Sequence, residues 1–243
     1  MSECWDARTR LLLGDDAVSR LALARVFVAG VGGVGGYAAE MLARSGVGNL
    51  TLVDADSVSV TNLNRQLIAL RSDLGKPKVE LFAERFREIN PDINILPVCD
   101  FITPDNVGEM LEAGYDYVID AIDTVVPKVA LISHCLRNRI PVISSMGAGG
   151  RVDPTKIGYS DLWETREDGL ARAVRQRLKK TGLRRPLRVV SSTEAPRAAS
   201  VIELDERNKR SSYGTIAPIP SMFGILLASH VINNLSRNSR QND

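Results

Sequence analysis

The sequence predicts an α/β protein whose core is a doubly wound, mostly parallel sheet with an extension at its C-terminal end. Three observations predict it. The apolar run Val26-Phe27-Val28-Ala29 passes directly into Gly30-Val31-Gly32-Gly33-Val34-Gly35, which reads as strand, tight turn and helix. A second apolar run, Asn49-Leu50-Thr51-Leu52-Val53, comes after that helix and ends in Asp54. Short apolar runs and amphipathic segments then alternate as far as Ser145, and the alternation stops after Gly150.

Taken in order, residues 8–23 read as helical, with Leu11, Leu12, Val18, Leu21 and Leu23 giving apolar faces on either side of Gly14-Asp15-Asp16. The strand at 26–29, the glycine turn, a helix at 37–44 and the strand at 49–53 form a βαβ unit. Val79, Leu81, Phe82, Phe86 and Ile89 mark a crossover helix that ends before Asn90-Pro91, and 93–98 is the third strand. Thr103-Pro104 introduces a short helix at 105–111; a strand at 117–120, a helix at 128–137 and a strand at 141–145 complete a Rossmann-like pattern. Beyond Gly150, 151–165 reads as irregular strand, 170–180 as a basic amphipathic helix and 187–192 as a strand. Residues 196–213, charged and poor in apolar side chains, read as a flexible loop. The apolar stretch 216–235 contains Pro218, Pro220, Ser221, Ser229, His230, Asn233 and Asn234, so it reads as a buried C-terminal helix and not a membrane span.

Glycines let a turn adopt positive φ and let a phosphate approach the backbone, whose free N–H groups at the helix N-terminus attract anions. Gly30, Gly32, Gly33 and Gly35 are therefore candidates for a phosphate cradle, and Asp54 for accepting hydrogen bonds from ribose hydroxyls. Such a unit usually suggests NAD. The residues after Asp54 argue against that, because Asp54-Ala55-Asp56-Ser57-Val58-Ser59-Val60-Thr61-Asn62-Leu63-Asn64-Arg65-Gln66 and then Gly75-Lys76-Pro77-Lys78 form a polar, cationic set that hydride transfer does not need. The single domain 1–243 thus divides into a nucleotide-binding half, 1–150, and a half at 151–243 without a nucleotide motif, which is left for substrate selection.

The pattern D-x-D-x-V-x-x-x-N-x-x-R-Q followed by G-x-P-K resembles the ATP-binding core of the ubiquitin-activating-enzyme-like superfamily, whose bacterial members adenylate carboxylates. Within it, Arg8-Thr9-Arg10-Leu11-Leu12-Leu13-Gly14, Tyr117-Val118-Ile119-Asp120-Ala121-Ile122-Asp123-Thr124 and Ser144-Ser145-Met146-Gly147-Ala148-Gly149 are most similar to the branch that dehydrates the threonylcarbamoyl group of tRNA adenosine. The resemblance implies ATP and Mg²⁺ as cofactors, Asn62, Arg65 and Lys78 as phosphate contacts, and Asp123 as the metal ligand. It also implies a homodimer in which Arg8, with Arg10 as runner-up, reaches the partner's ATP phosphates. Asp56 is left between assisting the metal and capping its loop; Gln66 is expected to orient Arg65 or the adenine-side loop. The bland readings are a helix N-cap for Asp123, an exposed helix-start lysine for Lys78 and a surface ion pair for Arg8.

The bulk numbers narrow the chemistry. With 243 residues, 25% charged side chains and a formal charge of +2, the chain lacks the global basicity of a general nucleic-acid binder, so any tRNA contact has to be local. The candidate is the run Arg172, Arg175, Arg177, Lys179, Lys180, Arg184, Arg185 and Arg188, with Trp163 and Tyr159 as the nearest aromatics for stacking a base. Cys4, Cys99 and Cys135 are few and unclustered, with Cys4 expected exposed and the other two buried. There is no C-x-x-C, and no cysteine follows Cys135, so neither the zinc pairs common in sulfur-carrier adenylating relatives nor a product-capturing thiol is available in the second half. The acyl group must pass to another nucleophile, and one within the substrate suffices. The alternatives are an adenylyltransferase acting on the C-terminus of a ubiquitin-like sulfur carrier, and a nucleotide-binding adaptor. The N-terminus has no basic start followed by an apolar run, so a cytoplasmic protein is expected; the sequence leaves a sulfur-relay partner open.

Overall fold

Strand β1 (Arg25–Ala29) is the centre from which the sheet is wound in both directions. Val26 and Val28 point into one apolar cluster, while Phe27 and Ala29 point into the other, so the strand is covered on both faces and needs no polar alternation. The computed structural model describes residues 4–197, 199, 201–206 and 209–237. Its main sheet has seven strands in the order β3-β2-β1-β4-β5-β7-β6, with β2 Asn49–Val53, β3 Asn94–Val98, β4 Tyr117–Asp120, β5 Val142–Ser145, β6 Ile157–Asp161 and β7 Arg188–Ser192. Every neighbouring pair is parallel except β6 with β7 at one edge. This is the doubly wound sheet that the sequence predicts, with β1 paired to β2 on one side and β4 on the other.

Helices α3 (Gly35–Arg44), α4 (Lys78–Ile89) and α8 (Pro218–Ser236) cover the Val26 face. Helices α5 (Val107–Leu111), α6 (Val125–Asn138) and α7 (Gly169–Lys180) cover the Phe27 face. In α8, Ile219, Phe223, Leu227 and Val231 recur every four residues and are fully buried, so the C-terminal helix is a core element. No helix among the described residues is long and apolar enough to cross a membrane. The N-terminal arm is two helices, α1 (Ala7–Leu13) and α2 (Asp15–Leu23), broken at Gly14 with φ 83°. Ala17, Val18 and Leu21 seat α2, whereas α1 buries no residue.

Two expectations need correction. The segment expected to be a flexible loop carries an antiparallel hairpin, β8 (Val201–Glu206) with β9 (Lys209–Tyr213). Its alternation Val201-Ile202-Glu203-Leu204-Asp205-Glu206 is weak in apolar content, and composition hid a period-two strand; residues 198, 200, 207 and 208 of the segment lie outside the described residues. The base of the hairpin is tied to the loop after β5 through Gly150 N–H to the Gly214 carbonyl (2.9 Å) and Arg197 N–H to the Gly150 carbonyl (2.8 Å). Cys99, expected buried, is exposed, because it follows the last residue of edge strand β3. Cys4 is exposed and Cys135 buried, as expected.

Candidate nucleotide and adenylation site

The carboxyl ends of β1 and β4 lie side by side, and the connections leaving them diverge: α3 covers one face and α6 the other, the switch point at which open α/β sheets bind ligands. Gly30 leaves β1 with φ 81°, and its N–H is held by the Val53 carbonyl at 2.8 Å. Gly35 begins α3 directly against that turn. A Cβ there would stand 1.7 Å from the Gly30 carbonyl oxygen and 3.0 Å from the Ala121 Cβ, so the turn closes only around a glycine. The same contact brings the loop after β4, which carries Asp123, against the glycine turn.

Asp54 closes the cradle from below. Its Oδ2 accepts from Val31 N–H (2.8 Å) and its Oδ1 from Asp56 N–H (2.9 Å), so the acid expected to receive a ribose also holds the glycine loop in shape. Burial pushes the Asp54 carboxyl above its ordinary range, opposed by the nearby Lys78 charge and the two backbone donors. Lys78 is not an exposed helix-start lysine, since it is only 3% exposed. Its Nζ donates to Asp56 Oδ2 at 2.8 Å and stands 3.8 Å from Asp54 Oδ1. The loop between folds back to permit this: Val58 N–H reaches the Lys76 carbonyl, Gly75 N–H the Val58 carbonyl, and Lys78 N–H the Asp56 carbonyl.

That loop also carries the Asn62 to Gln66 turn. Asn62 is buried and its Oδ1 accepts from Ser59 N–H at 3.1 Å, which fixes its carbonyl end. Arg65 is half-buried and folds over the turn, donating to the Thr61 carbonyl (2.7 Å) and to Asn64 Oδ1 (3.1 Å). Gln66 is buried beside Gly32, and its Oε1 has no hydrogen-bond partner. A buried acceptor left open costs about 1–3 kcal/mol, and a donor on a bound ligand would relieve it. Asn64 Nδ2 donates to the Thr215 carbonyl (2.9 Å), so the strap following the hairpin is fastened to the phosphate-side loop.

The remaining candidates separate. Asp123 is exposed in the turn between β4 and α6, one residue before Thr124, the N-cap of α6. Arg10 is taken by ion pairs to Asp6 (2.9 Å) and Asp15 (3.1 Å), whereas Arg8 is exposed and makes no ion pair among the described residues. Arg8 lies on α1, which packs against α2. Among the described residues no three His, Cys, Asp or Glu side chains are placed to hold a metal by themselves. One or two carboxylates suit Mg²⁺, which completes its shell from water and phosphate oxygens.

The sequence model of one protein family, the ThiF family, matches residues 7–243. The chain belongs to that family. Its ThiF-family relatives include the tRNA threonylcarbamoyladenosine dehydratase of Escherichia coli strain K12, 43% identical over 97% of this chain and 96% of the relative. The enzyme of the same name from Bacillus subtilis strain 168 is 39% identical over 94% of this chain and 93% of its own. The structure of the E. coli tRNA N6-threonylcarbamoyladenosine dehydratase in complex with ATP superposes with a TM-score of 0.88, covering 96% of both chains at 43% identity.

Sequence reasoning missed two buried groups at this ThiF-family site. Asp120 and Lys128 form an ion pair of 2.5 Å with both side chains fully buried, joined by Ser144. Arg151 is buried beneath the loop after β5, donating to the Gly147, Glu167 and Glu194 carbonyls and standing 3.6 Å from Asp168. The available signal was a lysine inside the otherwise apolar Val125-Val126-Pro127-Lys128-Val129-Ala130-Leu131-Ile132, where an unpaired charge would be excluded.

Proposed function

We propose that the chain is an ATP-dependent tRNA threonylcarbamoyladenosine dehydratase that adenylates the threonylcarbamoyl carboxylate and then closes it into a ring. One observation carries this reading: the likeness to the E. coli enzyme extends over 97% of the chain and so takes in nearly all of residues 151–243, the half that no nucleotide motif explains. In the first step a carboxylate oxygen forms a bond to the α-phosphorus and the bond to pyrophosphate breaks. In the second an atom of the substrate's ureido group attacks the acyl carbon and AMP leaves, so the sum is loss of water driven by ATP.

The residues suit these roles. Gly30, Gly32, Gly33 and Gly35 cradle phosphate; Lys78, already desolvated and oriented by Asp56, supplies positive charge with donors to spare; Arg65 and Asn62 border the same loop. Asp123 would hold Mg²⁺, with Asp56 as a second carboxylate candidate, and the ion would supply charge neutralisation on the phosphate oxygens. No thiol competes for the acyl group in the second half. Cys135 is buried, and burial first, then the Asp120 charge, pushes its thiol up to about 12.

The protein acts as a homodimer in the cytoplasm, where its tRNA substrate is found. Leu11, Leu12 and Leu23 are 81%, 83% and 79% exposed on an arm that its own chain leaves uncovered, and a second copy would bury them while delivering Arg8. The basic run bears on tRNA at a distance. Asp168 accepts from Gly147 N–H at the start of α7, so Arg172 lies near the carboxyl edge of the sheet. The helix then runs away for about 18 Å, as its twelve residues dictate. Arg184 and Arg185 lie beyond its far end, where Arg185 reaches the Leu136 carbonyl near the end of α6. Arg175 is spent on Leu162 and Thr165, and Trp163 is occupied by Lys179 above its ring and by the Arg185 carbonyl on its indole N–H. The exposed arginines and lysines therefore serve remote phosphates and the reacting nucleoside is held elsewhere. ATP–pyrophosphate exchange tests the assignment: it should require threonylcarbamoylated tRNA, and exchange driven equally by a ubiquitin-like carrier protein would move the reading to the sulfur-carrier branch.

A further inference from the structure

The buried network beside the site does more than fill the core. We infer that Lys128, Asp120 and Ser144 position Asp123, by locking the four-residue turn 121–124 that presents its carboxylate; this rests on the adenylation reading above. Asp120 Oδ2 receives Lys128 Nζ at 2.5 Å and Ser144 Oγ at 2.5 Å, and Nζ also lies 3.1 Å from Ser144 Oγ. All three residues are 0% exposed. The other oxygen, Oδ1, accepts from the N–H of Ile122 at 3.1 Å, one residue before Asp123. On the far side of the turn, the backbone N–H of Lys128 donates to the Thr124 carbonyl at 3.3 Å. Lys128 therefore grips both ends, through its side chain by way of Asp120 and through its own backbone. Ala121 N–H, held by the Ala29 carbonyl at 2.8 Å, ties the start of the turn to β1.

Stability alone does not call for such a device. Removing two charges from water costs several kcal/mol per ion, and a well-packed apolar pair of similar size is often as stable or more so. What the ion pair adds over an apolar pair is direction, because it spans β4, β5 and α6 and ends on one backbone N–H. A metal ligand needs that. Mg²⁺ demands near-ideal octahedral geometry, and displacement of a reacting group by about 1 Å can cost a hundredfold in rate. Asp123 itself is exposed on a turn, and the geometry of that turn sets where its side chain begins.

The test uses the full chain with Ser144→Ala, which removes one hydroxyl, and the pair Asp120→Asn with Lys128→Met, which removes both charges together. Calorimetry of ATP binding with and without Mg²⁺ is the first readout. Metal-free ATP affinity should stay within about twofold, since the phosphate cradle is untouched, while the gain in affinity that Mg²⁺ confers should shrink. Pyrophosphate release with substrate tRNA should slow about ten- to a hundredfold. Adding Asp123→Asn to either variant should cost nothing beyond Asp123→Asn alone, because both act through one carboxylate. A Mg²⁺-dependent gain equal to the parent's in well-folded Ser144→Ala and in the charge-free pair, or rate losses that multiply with those of Asp123→Asn, would overturn the assignment. A parent protein inactive on tRNA would instead count against the proposed reaction, and the calorimetric comparison would still decide the network.

Discussion

Replacing Gly35 and Gly32 one at a time by alanine should separate the glycine that builds the turn from the glycine that faces the ligand. At Gly35 an added Cβ meets the Gly30 carbonyl oxygen at 1.7 Å and its carbon at 2.9 Å, both backbone atoms that cannot rotate aside. Overpacking a well-filled site costs about 1–3 kcal/mol, and for a chain of this size each kcal/mol lowers Tm by about 2–4 °C. Gly35→Ala should therefore lower Tm by about 2–12 °C, toward the upper end because backbone must move, and it should weaken ATP binding by prising the turn from Ala121. At Gly32 the nearest atom to a Cβ is Gln66 Nε2 at 3.6 Å, an ordinary contact. Gly32→Ala should keep the parent Tm within about 1 °C and lose ATP affinity alone, since the methyl group enters the space a phosphate would use. Thermal unfolding and calorimetry read both. Gly35→Ala melting with the parent, or Gly32→Ala binding ATP as tightly as the parent, would refute this division of roles.

Three further outcomes are expected. Mixing Arg8→Ala with Lys78→Ala protein, each inactive alone, should restore activity to about a quarter of the parent's sites, since half the dimers are mixed and each holds one intact site; no recovery with proven subunit exchange would place Arg8 outside the partner's site. Glu40 is buried, which raises its pKa, but hydrogen bonds from Arg85 and Arg44 outweigh this and hold it below the ordinary 4.5; its contribution is present above that value and is lost as pH falls through the folded pKa, so Glu40→Gln should cost about 1–3 kcal/mol near neutrality and progressively less as the pH is lowered through the folded pKa, as read by Tm against pH. Neutralising Arg184 and Arg185 should weaken tRNA binding and flatten its salt dependence by roughly one unit of slope per lost contact, with ATP binding unchanged.

The nucleotide half was largely legible because its signals are local. The glycine turn, the apolar strands and the helix spacings are all encoded within a dozen residues, and α3, α4, α6 and β1 to β5 lie where those patterns put them, with α6 and α3 starting two or three residues early. The less legible features depend on residues meeting across the fold. Lys128 finds Asp120 and Ser144 only once β4, β5 and α6 are packed, and Arg151 finds its carbonyls only when three loops converge. The arginine run is continuous in sequence, yet Arg172 and Arg185 stand at opposite ends of a helix, and Arg175 is consumed on the way. The hairpin at β8 and β9 escaped because its charged alternation reads as loop composition.

The most direct measurement of the central claim is mass spectrometry of nucleosides from threonylcarbamoylated tRNA incubated with ATP, Mg²⁺ and either the parent protein or Asp123→Asn. The parent should convert the modified adenosine to a species lighter by one water, with AMP and pyrophosphate formed in equal amounts, and Asp123→Asn should convert it far more slowly while still binding ATP. Adenylation of a carrier protein's C-terminus with no change in the tRNA nucleoside would contradict the account.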